Sequence, residues 1–277
     1  MEPSKDKSYL YMKNLASKNY KLDNFNRVSE GKFVENSEEL SLIGKEIIDN
    51  FSKDKNLKIN YFADICSAPG NYSKIVLENF PIVTGIGISL PPDEGGVEFE
   101  IEDSKFKKIY KNILERKYRL ELPKKLDLGM ASCVSYQQDA KEASKLNLKL
   151  ILKSLYLLLD NLDNGGSLVI NMTMKNINIA FNLINFLSKN FKSYKLWKST
   201  TTWETKNTFY FFGYDYILNN KITDEINLLL DKIENDKDEI YYKFSGTKEE
   251  CHKINFEMRK IYQVRIDAWN KLIFKKN

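Results

Sequence analysis

The most constraining feature of this sequence is a run of small residues between a buried-strand pattern and the start of a helix. Residues 60–66 read NYFADIC, an apolar run typical of a strand covered on both faces. The run continues into the turn 67–70 (SAPG), and a short helix is predicted over 71–80. In open α/β sheets ligands bind at the carboxyl ends of the strands, where small residues let the backbone approach a ligand closely. The turn therefore predicts an α/β fold with a ligand site at its first crossover.

The rest of the chain alternates between strand and helix patterns. Further strands are predicted at 82–88, 97–101, 126–132, 167–172, 194–198 and 208–217. Further helices are predicted at 37–51, 104–116, 138–160, 176–191, 223–234 and 249–274. Such alternation predicts a mostly parallel sheet with helices on both faces, and the two consecutive strands near its end predict a terminal antiparallel hairpin strand. We divide the chain into a polar leader (1–36), an α/β domain (37–219) and a C-terminal helical appendage (220–277).

Composition removes several classes of chemistry. The chain has one histidine, His252, which excludes most histidine-based metal sites and histidine-centred triads. Its three cysteines, Cys66, Cys133 and Cys251, are too few and too scattered for a disulfide framework or a zinc site. We therefore expect no metal and a reducing, cytoplasmic location. No apolar run reaches the length of a membrane span, and the charged N-terminus argues against a signal peptide.

The charge balance permits an anionic partner without requiring one. The 43 Lys and Arg residues exceed the 38 Asp and Glu residues by five. Seven of the basic residues lie in the stretch 105–119, where Tyr110 and Tyr118 are interleaved with them. Such a stretch holds phosphates and stacks bases in RNA-binding proteins, and a solvated helix face is the alternative. The apolar stripe within 249–274 predicts packing against the domain, with a partner site as the alternative.

The segment 64–73 (DICSAPGNYS) resembles the first motif of FtsJ/RrmJ-type RNA ribose 2′-O-methyltransferases, D-x-x-x-A-P-G-x-[YFW]-[ST]. Weaker similarities follow in the family's order. Lys45 precedes the motif on a helix, 127–132 resembles the fourth strand, 164–170 resembles the turn and fifth strand, and 205–211 resembles the segment before the last strand. The resemblance covers roughly residues 37–217 and implies a Rossmann-like S-adenosylmethionine methyltransferase fold.

The resemblance also implies the position of the cofactor S-adenosylmethionine. The loop 66–73 would cradle its methionine part, and the adenine would lie between the loop after strand 2 and Glu102-Asp103 after strand 3. A solvated or helix-capping charge is the alternative at Glu102 and Asp103. Ser89 stands where the family commonly has an acid that binds the cofactor ribose, and Asp93 or Glu94 could replace it. The implied cofactor-binding residues are Asp64, Cys66, Ser67, Ala68, Pro69, Gly70, Asn71, Tyr72, Ser89 and Asp103.

The family transfers the methyl group with a Lys-Asp-Lys-Glu tetrad, in which the central lysine helps to activate the ribose hydroxyl. Carried over position by position, these four residues fall on Lys45, Ser132, Asn171 and Thr208. Only the first position keeps the family's residue type. Lys175, which follows strand 5, is the candidate replacement base, and a solvated lysine at a helix start is the alternative.

Two functions follow from this pattern. The first is an S-adenosylmethionine-dependent RNA methyltransferase acting on a ribose 2′-hydroxyl of rRNA, tRNA or a cap, with RNA as its partner. The second is a catalytically inactive methyltransferase-like protein that binds cofactor or RNA, or that supports a catalytic partner subunit. The intact first motif favours the first function, and the altered tetrad favours the second. A Rossmann dehydrogenase is disfavoured because no G-x-G-x-x-G follows strand 1.

Overall fold

A computed structural model describes residues 3–19, 37–53, 55, 57–133, 140–235 and 246–274. Seven strands in these residues form one sheet, in the order β3-β2-β1-β4-β5-β7-β6. The strands are β1 Tyr61–Ile65, β2 Thr84–Ser89, β3 Phe106–Tyr110, β4 Leu126–Ala131, β5 Leu162–Thr173, β6 Phe191–Trp197 and β7 Thr208–Tyr216. Strands β1 to β5 run parallel, whereas β7 is antiparallel to both β5 and β6. The predicted mostly parallel sheet with a terminal antiparallel strand is confirmed.

Helices cover both faces of the sheet and divide the core in two. They are α1 Lys7–Asn19, α2 Ser37–Ser52, α3 Asn71–Asn79, α4 Ala140–Asn161, α5 Ile177–Ser188, α6 Ile222–Glu234 and α7 Lys248–Phe274. Apolar residues of α2 and α3 form one buried cluster with the strands, and those of α1, α4, α5, α6 and α7 form the other. In α2 the spacing of Ile43, Ile47, Ile48 and Phe51 places all four on one buried face, as helical periodicity predicts.

The region between β2 and β4 differs from its prediction. The segment predicted as a helix over 104–116 contains β3, and the predicted strand at 97–101 is irregular. Strand β3 lies at the edge of the sheet, with Phe106 buried and Lys107 exposed. Exposed lysines suit an edge strand because they discourage pairing with another chain, so a run of lysines did not require a helix here. The alternative of a solvated helix face for 105–119 is therefore wrong.

The terminal helices pack onto the α/β domain. Buried residues of α6 and α7, including Ile226, Met258 and Tyr262, belong to the same cluster as residues of α4 and β5. The predicted packing of the C-terminal stripe is confirmed, although Phe256 remains 62% exposed. Helix α1 packs against α7, and Arg259 of α7 bonds the buried carboxylate of Asp6 at 2.8 Å. The division at residues 36 and 219 stays a prediction, and 20–36 lie outside the described residues.

Two of the three cysteines are paired, which corrects the expectation from their scattered positions. Cys66 follows β1 and Cys133 follows β4, and the two form a disulfide with their Cα atoms 5.1 Å apart. They are 67 residues apart in sequence, but β1 and β4 are neighbours in the sheet. Cys251 is buried and belongs to no disulfide. Within the described residues, no helix is long and apolar enough to cross a membrane, and no group of acidic, His and Cys side chains could hold a metal ion.

Candidate active site

The turn after β1 is the centre of the site. It runs from Cys66 to Gly70 and leads into α3, and Gly70 at its end has a φ of 111°. Only glycine adopts such a left-handed conformation without strain, and a Cβ at this position would lie 3.3 Å from Cβ of Ile101. Gly70 also offers α3 no side-chain cap. The first turn of α3 is therefore available to bind the carboxylate of a ligand.

Asp64 lies beneath this turn, in β1, with only 1% of its surface exposed. The Ser73 hydroxyl, in the first turns of α3, donates a hydrogen bond of 2.7 Å to its carboxylate. Burial raises the pKa of Asp64 to about 7, against the lowering effect of the Ser73 hydrogen bond. The hydrogen bond ties the strand to the helix across the turn, so Asp64 fixes the entry of α3.

The turn is also held from β2. The backbone N–H of Ala68 donates to the Ser89 hydroxyl at 2.8 Å, and the N–H of Cys66 donates to the Ile88 carbonyl at 2.7 Å. Ser89 thus binds the turn itself in the position where the family's acid was expected. The Ser67 hydroxyl is buried and has no hydrogen-bond partner among the described residues. An orphaned hydroxyl in this turn fits a polar ligand.

Pro69 and Asn71, two further predicted residues of the loop, contact the segment 97–101 and helix α2. The carbonyl of Pro69 accepts a 2.9 Å bond from the N–H of Glu100, which holds the irregular segment 97–101 over the turn. The Asn71 side chain donates to the Ser41 hydroxyl on α2 at 2.8 Å. These contacts connect the loop with both of the segments that flank it.

Asp103 does not follow β3, although the prediction placed it after the third strand. Asp103 precedes β3, and its carboxylate accepts a 2.8 Å bond from the N–H of Lys105, so it caps the turn at the amino end of the strand. The carboxyl end of β3 carries Asn112 instead, which donates to Glu94 at 3.3 Å. The sequence prediction missed Asn112 because it placed strand 3 too early. The β-forming residues of the run FKKIY were the available signal.

Three of the four tetrad positions meet at the carboxyl edge of the sheet, next to the turn. Ser132 follows β4, and its N–H donates to the Ile65 carbonyl at 3.3 Å. Asn171 lies near the end of β5, and Thr208 begins β7 opposite Thr173. Strand alternation places Asn171 and Thr208 on the face of the sheet that α2 and α3 cover. The sequence carry-over thus selected residues that share one face and one edge.

The two lysines of the prediction lie at the rim. Lys45 is exposed on α2, and Lys175 is exposed two residues after β5. The side chains at the strand ends are neutral, and the rim beside them carries these lysines together with the carboxylate of Glu46, which acts on Tyr210. This arrangement differs from a tetrad with two lysines and two carboxylates, because no carboxylate is present at the carried-over positions.

Two tyrosine hydroxyls meet next to Asn171 and Thr208. Tyr210 pairs with Asn171 across β5 and β7, and its hydroxyl is 3.3 Å from the hydroxyl of Tyr72 on α3. Burial raises the pKa of both phenols well above the usual range, so both stay neutral. Tyr72 therefore contributes a hydroxyl that links α3 to β7, a role that the sequence prediction did not include.

The loop 198–207 is fixed by two charged residues that the sequence analysis did not select. Lys198 is 3% exposed and donates to the carbonyls of Trp203, Lys206 and Thr208 at 2.7–2.9 Å. Burial, together with the charge of nearby Arg265, lowers its pKa to about 7. These three bonds hold the loop in the conformation that presents Thr208 at the edge.

Glu46, on α2 beside Lys45, holds the same loop from outside. Its carboxylate accepts hydrogen bonds from the hydroxyls of Ser199, Thr201 and Thr202. This acid is separated from its partners by more than 150 residues. No local pattern in the sequence signals such a contact.

The basic stretch 105–119 is partly engaged in ion pairs. Lys108 bonds Glu102 at 2.6 Å and Lys111 bonds Glu115 at 2.6 Å. Its contact with RNA stays a prediction.

One family of known proteins matches the sequence of this chain. The model of the FtsJ-like methyltransferase family matches residues 45–216. Among solved structures, a protein described as a ribosomal RNA methyltransferase of Plasmodium falciparum is 16% identical, with 64% of this chain and 97% of that chain covered and a TM-score of 0.49. An O-methyltransferase family protein of Burkholderia thailandensis is 14% identical, with 76% and 71% covered and a TM-score of 0.41. Human methyltransferase-like protein 13 is 10% identical, with 72% and 93% covered and a TM-score of 0.40. None of the curated proteins matches the sequence.

Proposed function

This chain belongs to the FtsJ-like methyltransferase family, and from that membership we propose that it transfers a methyl group from S-adenosylmethionine to an RNA ribose 2′-hydroxyl. The observation that carries the proposal is the turn 66–70 between β1 and α3, at the carboxyl edge of a parallel sheet. This is the place where open α/β sheets bind their ligands. The family match includes both the turn and the four tetrad positions.

The residues of the turn fit the cofactor. The uncapped start of α3 suits its carboxylate, and the orphaned hydroxyl of Ser67 suits a polar group of the methionine or ribose. Asn112 lies just beyond the carboxyl end of β3 and donates to Glu94 of the loop after β2, and we place the adenine beside this pair in preference to Asp103. When bound, S-adenosylmethionine supplies a methyl group activated by its sulfonium charge.

The chain's own residues hold the acceptor. Asn171 and Thr208 offer an amide and a hydroxyl for hydrogen bonds to the ribose at the edge of the sheet. None of these neutral groups is a base, so the proton of the 2′-hydroxyl needs another acceptor. We assign that role to Lys175, which follows β5 at the same edge and whose amine must be unprotonated to accept the proton. Lys45 adds positive charge from α2.

A second function has a specific observation in its favour. Ser132, Asn171 and Thr208 are all neutral where the family has two carboxylates and a lysine. A protein that binds cofactor or RNA and supports a catalytic partner subunit would need no proton acceptor at these positions. The partner subunit and a cytoplasmic location stay predictions.

Calorimetric titration with S-adenosylmethionine and S-adenosylhomocysteine tests cofactor binding. We expect micromolar binding by the unchanged protein and its loss in Gly70→Asp, because the new side chain would occupy the turn and face Ile101. Gly165→Asp is the matched control, since Gly165 also has a positive φ of 84° and has open space around it. Equal binding by both variants would contradict the assignment of the turn.

Transfer of a radiolabelled methyl group to RNA then separates the two functions. Labelled ribose that protects the adjacent phosphodiester from alkaline cleavage supports the 2′-O-methyltransferase. Cofactor binding without transfer to any rRNA, tRNA or capped RNA favours the supporting subunit, and transfer to a base would contradict the ribose assignment.

A further inference from the structure

A cleft opens at the same edge of the sheet, on the face opposite to that of Asn171 and Thr208. It has a volume of about 360 Å³ and lies between α1 and α7, against the segments 174–175 after β5 and 205–207 before β7. The N–H of Met174 donates to the carbonyl of Asn207 at 2.9 Å, so these two segments form one continuous wall. Helices α1 and α7 lie outside the residues that the family model matches, and this cleft is therefore a feature that the chain adds to the family's domain.

The side chains around the cleft make it positive. Lys13 of α1, Lys206 and Arg265 of α7 are the cations that line it, beside the amine of Lys175, and no carboxylate lines it among the described residues. The carboxylates nearest in sequence are engaged elsewhere, since Asp6 bonds Arg259 and Glu204 lies 3.9 Å from Lys271. A cleft with several cationic groups and no acid attracts an anion.

Two of the lining residues are fixed donors. Arg265 is buried, and its guanidinium donates to the carbonyl of Thr205 and the side chain of Asn207, both at 2.7 Å. These bonds hold its charge in place at the wall. Trp269 is 2% exposed, and its indole N–H has no hydrogen-bond partner among the described residues. The fixed charge of Arg265 and the indole N–H of Trp269 distinguish the cleft from a surface patch of mobile lysines.

We propose that this cleft binds a backbone phosphate of the RNA substrate, next to the nucleotide whose ribose lies at Asn171 and Thr208. The inference rests on the proposed function, which supplies the RNA. The position of the phosphate site follows from the sequence, because the cleft residues Asn207 and Met174 are direct neighbours of Thr208 and Thr173. Donors without an acid suit a phosphate, whose oxygens accept hydrogen bonds and carry negative charge.

Fluorescence anisotropy with a short single-stranded RNA, measured over a range of salt concentrations, tests the phosphate site. Lys13→Gln removes one cation of the cleft, and Lys18→Gln on the same helix is the matched control because Lys18 is exposed and does not line the cleft. Loss of one phosphate contact lowers the slope of log affinity against log salt by about 0.7 for a single strand. If the variant and the unchanged protein bind alike at about 1 M salt, this difference in slope makes the variant bind RNA roughly eightfold more weakly at about 50 mM salt.

We expect the lower slope for Lys13→Gln and an unchanged slope for Lys18→Gln, with S-adenosylmethionine binding by calorimetry equal in both. RNA binding with the same slope in both variants would overturn the phosphate site and leave the proposed function standing. No RNA binding by the unchanged protein would overturn both. The same RNA with a 5′-hydroxyl and with a 5′-triphosphate identifies the source of the phosphate. An effect of Lys13→Gln confined to the triphosphate form would overturn the assignment to the backbone.

Discussion

Asp64 carries a stability cost at the proposed cofactor site. Its carboxyl is 1% exposed, and burial raises its pKa to about 7 in the folded protein. An aspartate in an unfolded chain has a pKa of about 3.9. Because the folded-state value is the higher one, the stabilisation from Asp64 is complete below about pH 4 and is lost as the pH rises through 7. The difference corresponds to about 4 kcal/mol over the whole range.

Asp64→Asn removes this titration and keeps the shape of the side chain. The amide oxygen can still accept the hydrogen bond of Ser73, which is 2.7 Å long in the unchanged protein. Between pH 5 and pH 8 the unchanged protein loses about 2.5 kcal/mol through this one group, and the variant does not. We therefore expect Asp64→Asn to become more stable relative to the unchanged protein by about that amount as the pH rises.

Urea unfolding at pH 5 and pH 8 measures the effect, because the other titrating groups cancel in the comparison of the two proteins. Asp163→Asn, at an exposed aspartate, controls for the change from acid to amide. Free energies of unfolding that change in parallel with pH for Asp64→Asn and the unchanged protein would refute the argument from burial. Calorimetry with S-adenosylmethionine on the same variant then shows whether the carboxylate also serves the cofactor.

Two further substitutions test the edge of the sheet. Lys198→Met leaves three carbonyls without their donor and should lower the free energy of unfolding by about 3 kcal/mol in urea, whereas Lys192→Met, at an exposed position of β6, should not. An equal or higher stability of Lys198→Met would mean that the burial of its charge outweighs its bonds. Lys175→Arg replaces the proposed proton acceptor with a guanidinium that stays protonated, so RNA affinity should persist while methyl transfer falls by about 10²-fold or more. An unchanged rate would remove Lys175 from the mechanism.

Much of the fold could be predicted because local patterns and their order both point to it. Buried strands such as β1 read as continuous apolar runs, and the paired strands β6 and β7 follow each other without a helix. The error at β3 has a physical cause. An edge strand needs only one buried side, so Phe106 and the lysines around it carry a weak periodic signal. Because strand 3 was predicted too early, Asp103 was assigned to its carboxyl end, whereas Asp103 precedes β3.

The candidate site could be predicted only where its chemistry is local. The turn 66–70 is one continuous segment, and its small residues identify it directly. Glu46 and Lys198 act through partners that the fold brings together, and the disulfide of Cys66 with Cys133 joins residues 67 apart. Such pairs depend on which strands are neighbours. That information is contained in the topology and in no local window of the sequence.

The distribution of charge at the edge constrains the choice between the two functions. The carried-over positions Ser132, Asn171 and Thr208 are neutral, whereas Lys175 and Lys206 stand around them at the rim. Binding of an RNA backbone needs only the rim, because phosphates respond to charge over several ångströms. Methyl transfer needs in addition a group that takes the hydroxyl proton, and proton transfer requires hydrogen-bond contact. Methyl transfer therefore depends on one rim lysine that contacts the ribose, whereas RNA binding without catalysis depends on no single lysine. Single substitutions of the rim lysines therefore separate the two functions. If one substitution lowers methyl transfer far more than the others, the chain is an enzyme. If all of them lower RNA affinity by similar small amounts, these lysines form an RNA-binding surface.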